Sequence, residues 1–337
     1  MSKIEKTIQR QQENIRPSFG SSRAARIAEG QFYEAHQQLR VIAARYVKQS
    51  NWNAAIGILS QGAQALLQAG QGGSGGDLCN FLIEVYHKAE TKPDAGSKAR
   101  VLSLLRAFPP DEPTKKRFIG ELIAWSARMG EYPAGDPELH HVAGMVLAED
   151  GDAYEAEKHF VQGTRDSAEQ LVKLEYEWYT EDQAHTAPLY AARAVLPYLV
   201  AGNVRAANQS FLQFTTRLSQ ANSSLAVQEV STASVDLRLY PSLPLLNFLG
   251  LLLLSVTRGG SDLFRLLKSH YKSNLDEIPA WKDALDQIGE MYFDIRIPSQ
   301  SNPLMDMMSN MFGGGGPAKK PQSRRVEPAP PPAPGLD

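Results

Sequence analysis

Apolar residues recur at helical spacing on both sides of a short polar turn between residues 32 and 68, and this pattern constrains the fold most. One face comprises Leu39, Ile42, Ala43, Tyr46 and Val47, and the next comprises Ala55, Ile58, Leu59, Ala63, Leu66 and Leu67. Residues 49–51 between them, Gln-Ser-Asn, are typical of a turn. We therefore predict a helical hairpin, followed by a glycine-rich loop at 71–77 that leads into a third helix.

Helical patterns continue along the chain, and proline marks several of their boundaries. Helices are predicted at residues 77–90, 95–107, 113–129, 137–149, 153–163, 167–180, 187–200, 204–220, 243–257, 261–272 and 279–293. A short motif recurs at 30–35, 151–156 and 202–207: a glycine in a turn is followed by a predicted helix that has an alanine near its start. These features predict an all-α fold, an α-solenoid of stacked, divergent tetratricopeptide-like helical hairpins. Pro197 lies inside one pattern, where we expect it to kink or shorten the helix.

Residues 226–240 break the helical rhythm because apolar and polar residues alternate there on both sides of a short serine-rich turn. This pattern predicts one small β-hairpin near the C-terminal end. An isolated hairpin is marginally stable, so we expect it to lie against a helix or a partner. The next helix, at 243–257, is apolar nearly all round and needs cover on every side. Either the solenoid supplies all of that cover, or the hairpin and a partner segment supply the last side.

Three sections follow from these patterns: residues 1–150 as an N-terminal solenoid half, 151–312 as a C-terminal half with the hairpin, and 313–337 as a tail. The tail is rich in proline and glycine and poor in apolar residues, so we predict that it is disordered. Residues 304–312 are apolar and methionine-rich, which is compatible with a short helix that docks on this chain or on another.

Composition narrows the class of protein. The chain has 337 residues, of which 42% are hydrophobic and 21% charged, and the net charge of -2 argues against a protein that coats nucleic acid. Cys79 is the single cysteine, which excludes an intrachain disulfide and suits a reducing compartment. The N-terminal residues lack a signal-peptide core, and the longest apolar run, 245–256, is shorter than the roughly 20 residues of a spanning helix. We predict a cytosolic protein without stable membrane insertion.

No catalytic motif stands out. The glycines at 72, 73, 75 and 76 are followed by Asp77 and Leu78 and not by the lysine and Ser/Thr of a phosphate loop. Asp77 at a helix start would repel phosphate and would cap the helix. The seven histidines form no metal-ligand spacing. Cys79 has two interpretations, a reactive thiol near a helix start or a small buried hydrophobe. We predict no enzymatic activity, no metal and no cofactor.

The first helix carries Tyr33, His36, Arg40, Arg45 and Lys48, with few acidic residues to balance them. Two interpretations remain open for these side chains. They are either an ordinary solvated face or a docking surface for an acidic partner.

Several motifs together resemble the Golgi-to-ER traffic protein 4 family, in particular its fungal members. The N-terminal matches are Tyr33-Glu-Ala-His-Gln-x-Leu-Arg40, Ala44-Arg-Tyr-Val47, Ala55-Ile-x-x-Leu-Ser-Gln-Gly-Ala63, Gln71-Gly-Gly-Ser-Gly-x-Asp-Leu78 and Leu82-Ile-Glu-Val-Tyr86. Later matches are Gly135-Asp-Pro-x-Leu-His140, Tyr154-Glu-Ala-Glu-x-x-Phe160 and Asn302-Pro-Leu-Met-Asp-Met-Met-Ser309. The family is the helical scaffold of the pathway that delivers tail-anchored membrane proteins.

The resemblance implies a non-catalytic scaffold with two partners. Its N-terminal helices would bind, transiently, the ATPase that carries tail-anchored proteins. Its C-terminal half would hold a ubiquitin-like adaptor stably, and the adaptor would recruit a co-chaperone, so that the scaffold promotes substrate transfer for insertion into the endoplasmic reticulum. The implied ATPase contacts are Phe32, Tyr33, His36, Arg40, Arg45 and Asp77. The implied adaptor contacts are Val227, Val230, Leu237, Leu239, Leu246, Phe248 and Leu249.

One implied contact departs from the family pattern, because Phe32 stands where a tyrosine is expected. Two further hypotheses stay open beside the scaffold. The chain is alternatively a generic tetratricopeptide-like adaptor that grips peptide termini in a basic clamp, or an enzyme that uses the glycine-rich segment to bind a nucleotide.

Overall fold

The predicted first hairpin is formed by helices α1 (Phe32–Lys48) and α2 (Trp52–Gln68). The computed structural model describes Ile27 and residues 30–222, 225–232 and 235–295. Between the two helices Ser50 adopts a left-handed backbone conformation, and Asn51 caps α2 by accepting a hydrogen bond from the amide of Ala54 at 3.3 Å. The turn therefore lies where its residue types indicate.

The remaining helices follow in hairpin order. They are α3 (Gly72–Lys88), α4 (Ala95–Arg106), α5 (Pro113–Met129), α6 (Pro137–Glu149), α7 (Ala153–Val161), α8 (Ser167–Thr180), α9 (Ala187–Val200), α10 (Val204–Ala221), α11 (Pro244–Arg258), α12 (Ser261–His270), α13 (Lys272–Asp276) and α14 (Lys282–Phe293). Strands β1 (Gln228–Thr232) and β2 (Val235–Leu239) lie between α10 and α11. The predicted all-α solenoid with one small β-hairpin is confirmed.

One hydrophobic core runs through the described helices, from Leu39 in α1 to Phe293 in α14. Large side chains such as Trp125 and Tyr198 are buried in it, and each stabilises the fold by about 1.5–3 kcal/mol through the apolar surface it removes from water. Their polar atoms are also satisfied. Trp125 donates to the carbonyl of Thr91 at 2.9 Å, and the Tyr198 hydroxyl donates to the carbonyl of Phe160 at 3.0 Å.

The start of α3 corrects a sequence prediction. The glycines expected in a loop form the first turns of α3, which begins at Gly72 and not at Asp77. Close packing explains why glycine occupies positions 72, 75 and 76, because neighbouring elements leave no room there for a side chain. A Cβ on Gly75 would lie 2.6 Å from Leu67 Cγ, and a Cβ on Gly76 would overlap Thr114 Oγ1. Asp77 therefore lies in the second turn and does not cap the helix.

Pro197 does not shorten α9, which spans the predicted residues and ends at Val200. The proline lies in the last turn, so its missing N–H removes one bond, to the carbonyl of Arg193, and only three helical residues follow it. The amide of Ala201 still donates to the Pro197 carbonyl at 2.9 Å, so the helix end is closed normally.

The two strands pair antiparallel, with Val230 opposite Leu237 and Gln228 opposite Leu239. None of the described helices is both long and apolar enough to cross a bilayer. The methionine-rich segment 304–312 and the tail 313–337 lie outside the described residues, as does most of the chain before α1.

Candidate functional site

Three of the predicted N-terminal contact residues meet in one cluster between α1 and α3. His36 Nε2 donates to Asp77 Oδ2 at 2.8 Å, and Arg40 Nη1 donates to Asp77 Oδ1 at 2.6 Å. Arg40 also lies over the ring of Phe81, 5.7 Å from its centroid. We call His36, Arg40 and Asp77 the Asp77 cluster. The side chain of His36 is 12% exposed, that of Asp77 39% and that of Arg40 45%, so the cluster reaches the surface.

The cluster is electrostatically balanced. Burial alone would raise the pKa of the Asp77 carboxyl, but the hydrogen bonds from Arg40 and then His36 outweigh it and hold that pKa below its usual value. The carboxylate is therefore charged at neutral pH and neutralises part of the basic face expected on α1. Sequence reasoning missed this pairing because it assigned Asp77 to a helix cap.

The other predicted N-terminal residues make no hydrogen bond or ion pair with the Asp77 cluster in the part of the chain that the structure describes. Tyr33 is 70% exposed, whereas Phe32 is half-buried against the core. Arg45 is exposed and lies about 140° around α1 from Arg40, since successive helical residues are about 100° apart. Arg45 makes no ion pair with the residues that the structure describes. Val41 is 59% exposed and lies on the outer side of α1 with Tyr33 and Arg45. It was not among the predicted contacts, although it follows Tyr33 by eight residues, a little more than two helical turns.

The hairpin presents a second candidate surface. Val230 is 43% exposed, while Val227 and Leu239 are half-buried. Leu237 is placed by its backbone opposite Val230.

Side-chain hydrogen bonds fasten the hairpin to the helices on both sides. The Asn247 side chain of α11 bonds both the amide and the carbonyl of Tyr240, at 2.7 and 2.9 Å. The buried Tyr240 hydroxyl lies 3.1 Å from Ser219 Oγ of α10, and Arg238 donates to Thr216 at 3.2 Å. A cleft of about 490 Å³ lies between α10 and the hairpin, lined in part by Thr216, Val227 and Arg238. The hairpin thus lies against a helix as expected and has a recess beside it.

Three predicted adaptor contacts are core residues and not surface residues. Leu246, Phe248 and Leu249 are fully buried in α11, and Phe248 packs against Tyr271 and Trp281 at centroid distances of 5.6 and 6.3 Å. The solenoid itself therefore covers these sides of α11. The apolar pattern did not distinguish a buried helix from a groove, because both require the same residues.

No group of three or more His, Cys, Asp or Glu side chains able to hold a metal ion occurs among the described residues. Cys79 is fully buried, and burial raises the pKa of its thiol. A protonated, inaccessible thiol favours the interpretation of Cys79 as a small core residue.

The fold defines the chain as a helical-repeat protein, an α-solenoid with two surfaces of different chemistry. The sequence profile described as Golgi to ER traffic protein 4 matches residues 49–312. The Golgi to ER traffic protein 4 of Aspergillus fumigatus is 56% identical over 340 residues, which cover 96% of this chain and 95% of that protein. That of Schizosaccharomyces pombe is 34% identical over 283 residues, 84% of this chain and 91% of that protein.

Solved structures agree with this relationship. A crystal structure of C. therm. Get4 has a TM-score of 0.79 and 52% identity, and covers 90% of this chain and 97% of that one. The chain belongs to the Golgi to ER traffic protein 4 family, and the expected fungal type is confirmed.

Proposed function

We propose that this protein is a non-catalytic cytosolic scaffold. It would bridge a ubiquitin-like adaptor to the ATPase that carries tail-anchored proteins, and so promote their transfer for insertion into the endoplasmic reticulum. A co-chaperone would join through the adaptor. Membership of the Golgi to ER traffic protein 4 family over nearly the whole chain carries this proposal.

The outer face of α1 supports the ATPase contact. Tyr33 and Val41 offer exposed apolar surface, and Arg45 adds a positive charge without an ion-pair partner among the described residues. An aromatic anchor with rim charges suits a partner that associates quickly and leaves quickly. Within the Asp77 cluster, Arg40 is already held in place, so less side-chain freedom is lost on binding.

The hairpin supports the adaptor contact. Val230 and the recess beside α10 present apolar and polar groups on an element that is fastened to the core. A stable partner requires a larger apolar contact than a transient one, because obligate interfaces resemble a core cut in half. We assign this role to Val227, Val230, Leu237 and Leu239. The buried residues Leu246, Phe248 and Leu249 belong to α11, whose Asn247 holds the end of the hairpin through Tyr240.

Charge reversal tests the ATPase surface. Arg45→Glu should weaken binding of the purified nucleotide-loaded ATPase by about tenfold, which corresponds to about 1.4 kcal/mol. Arg205→Glu is the matched control, since Arg205 is an exposed arginine of α10. If the two variants bind the ATPase equally, α1 is not the docking face.

Affinity capture of the tagged chain at low and high salt tests the two-partner arrangement. The adaptor should be recovered at both salt concentrations and the ATPase at low salt only. Val230→Asp should lose the adaptor but keep the ATPase, and Val41→Asp should do the reverse. Recovery of acidic peptide-bearing proteins instead of these two would favour the generic tetratricopeptide-like adaptor.

A further inference from the structure

An exposed group of aromatic side chains lies where α7, α8 and α9 meet, on helices that carry none of the residues assigned to the two docking surfaces. Tyr154 and Trp178 pack edge to face with centroids 5.1 Å apart, and Trp178 packs against Tyr190 at 6.0 Å. Tyr154 is 59% exposed, and the other two rings are half-buried. We call these three residues the aromatic stack. Their packing joins three helices, but it does not account for the exposure of Tyr154.

Arg193 makes cation–π contacts with two rings of the aromatic stack. Its guanidinium carbon lies 4.7 Å from the ring centroid of Tyr154 and 5.0 Å from that of Trp178. Its Nε lies 2.9 Å from Glu157 Oε1 and 3.2 Å from Glu175 Oε2. Glu175 is fully buried. Such a buried network costs desolvation free energy and contributes little net stability, but it holds the rings in one orientation.

The edge of the aromatic stack is acidic. Glu181 and Asp182 lie one turn beyond Trp178, are exposed, and make no ion pair with a described lysine or arginine. The Tyr190 hydroxyl donates to Asp182 Oδ2 at 3.1 Å. Glu177 has only a distant partner, Lys173, at 3.9 Å. The preoriented rings are thus bordered by negative charge.

We propose that the aromatic stack binds a basic, proline-rich segment of a partner protein in the polyproline II conformation. Proline-rich segments typically dock on surfaces lined by aromatic rings. Their polyproline II conformation is already ordered before binding, so little conformational entropy is lost. Lysine or arginine beside the prolines would pair with Glu181 and Asp182 across the rim. This inference does not depend on the proposed scaffold function.

The test is fluorescence polarisation of a labelled synthetic peptide with P-x-x-P spacing and two flanking arginines, titrated with the full-length chain. We expect a dissociation constant of about 100 µM or tighter. Tyr154→Ala should weaken binding at least about tenfold, since it removes the most exposed ring. Glu181→Lys should weaken binding and reduce its dependence on salt. Tyr132→Ala, at a tyrosine 50% exposed elsewhere on the chain, should leave it unchanged.

The peptide control separates charge from shape. A peptide of the same charge with every proline replaced by glycine should bind at least about tenfold more weakly, because it must be ordered on binding. Equal affinity for both peptides would overturn the proposal, as would equal effects of Tyr154→Ala and Tyr132→Ala. Absence of binding at about 1 mM protein would also overturn it. Circular dichroism of each variant checks that the fold is retained.

Discussion

Gly75→Ala in α3 should destabilise the protein, although alanine is normally the better helix former. Gly75 is buried, and a Cβ at this position would lie 2.6 Å from Leu67 Cγ, 2.7 Å from Leu67 Cδ2 and 3.1 Å from the Leu67 amide nitrogen. The nearest atoms are the branch point of a buried leucine and the backbone of α2. Neither can rotate away as the end of a flexible side chain would, so α2 and α3 must separate slightly.

Two opposing contributions set the size of the change in the free energy of unfolding. Overpacking a tightly packed core costs about 2–3 kcal/mol. Replacing a helical glycine by alanine returns about 1 kcal/mol. We therefore expect Gly75→Ala to lower the free energy of unfolding by about 1–2 kcal/mol. Gly57→Ala is the matched control, because Gly57 lies inside α2 and a Cβ there meets nothing within 4 Å. It should raise the same free energy by about 0.5–1 kcal/mol.

Urea denaturation followed by circular dichroism measures both variants. The midpoint should fall for Gly75→Ala and rise for Gly57→Ala, with the slope of the transition unchanged in each. If Gly75→Ala raised the midpoint as much as Gly57→Ala, the close approach of α2 and α3 would not be the reason for the glycines, and the account of the start of α3 would be wrong.

Three further predictions concern titrating groups. Arg40→Ala should raise the pKa of Asp77 towards its usual value in a carboxyl NMR titration, because it removes a hydrogen bond to the carboxylate, whereas Arg45→Ala should leave it unchanged. Burial and then a neighbouring histidine lower the pKa of His159 to about 4. As the pH drops from 6.5 towards 4, the unfolded chain therefore takes up a proton before the folded chain does, and folding stability falls. His159→Asn should reduce this loss of stability in urea titrations. Burial and then a second carboxyl raise the pKa of Glu175 to about 9, so the folded chain keeps a proton that the unfolded chain releases, and stability is lost as pH rises from 4.5 towards 9. Glu175→Gln keeps the neutral shape and should stabilise the fold by about 1–3 kcal/mol at about pH 8, with little effect near pH 5, in the same denaturation assay.

Most helix boundaries could be predicted from the sequence because local chemistry sets them. The start of α6 is an example. Pro137 has the backbone angle that a first helical turn requires, and Asp136 before it accepts hydrogen bonds from the amides of Glu138 and Leu139 at 2.9 and 3.4 Å. Both signals are visible within four residues, so no tertiary information is needed.

The start of α3 could not be predicted in the same way. A run of glycines favours a loop on local grounds, since glycine loses the most backbone freedom in a helix. Leu67, Glu112 and Thr114 pack so closely against the first residues of α3 that only glycine fits, so the glycine run reflects helix packing and not a loop. Two of those neighbours lie in and beside α5, and no local pattern indicates that contact.

The sequence by itself determined the helical repeat, the position of the β-hairpin and the family, because these depend on spacing and on short motifs. Only the tertiary structure decided which of the candidate residues meet. It brought Asp77 to His36, 41 residues away in the chain, and it placed Phe248 in the core instead of in a groove. It also assembled Tyr154, Trp178 and Arg193 from three helices. Local propensity depends on a residue and its near neighbours, whereas burial and pairing depend on how the helices pack against one another.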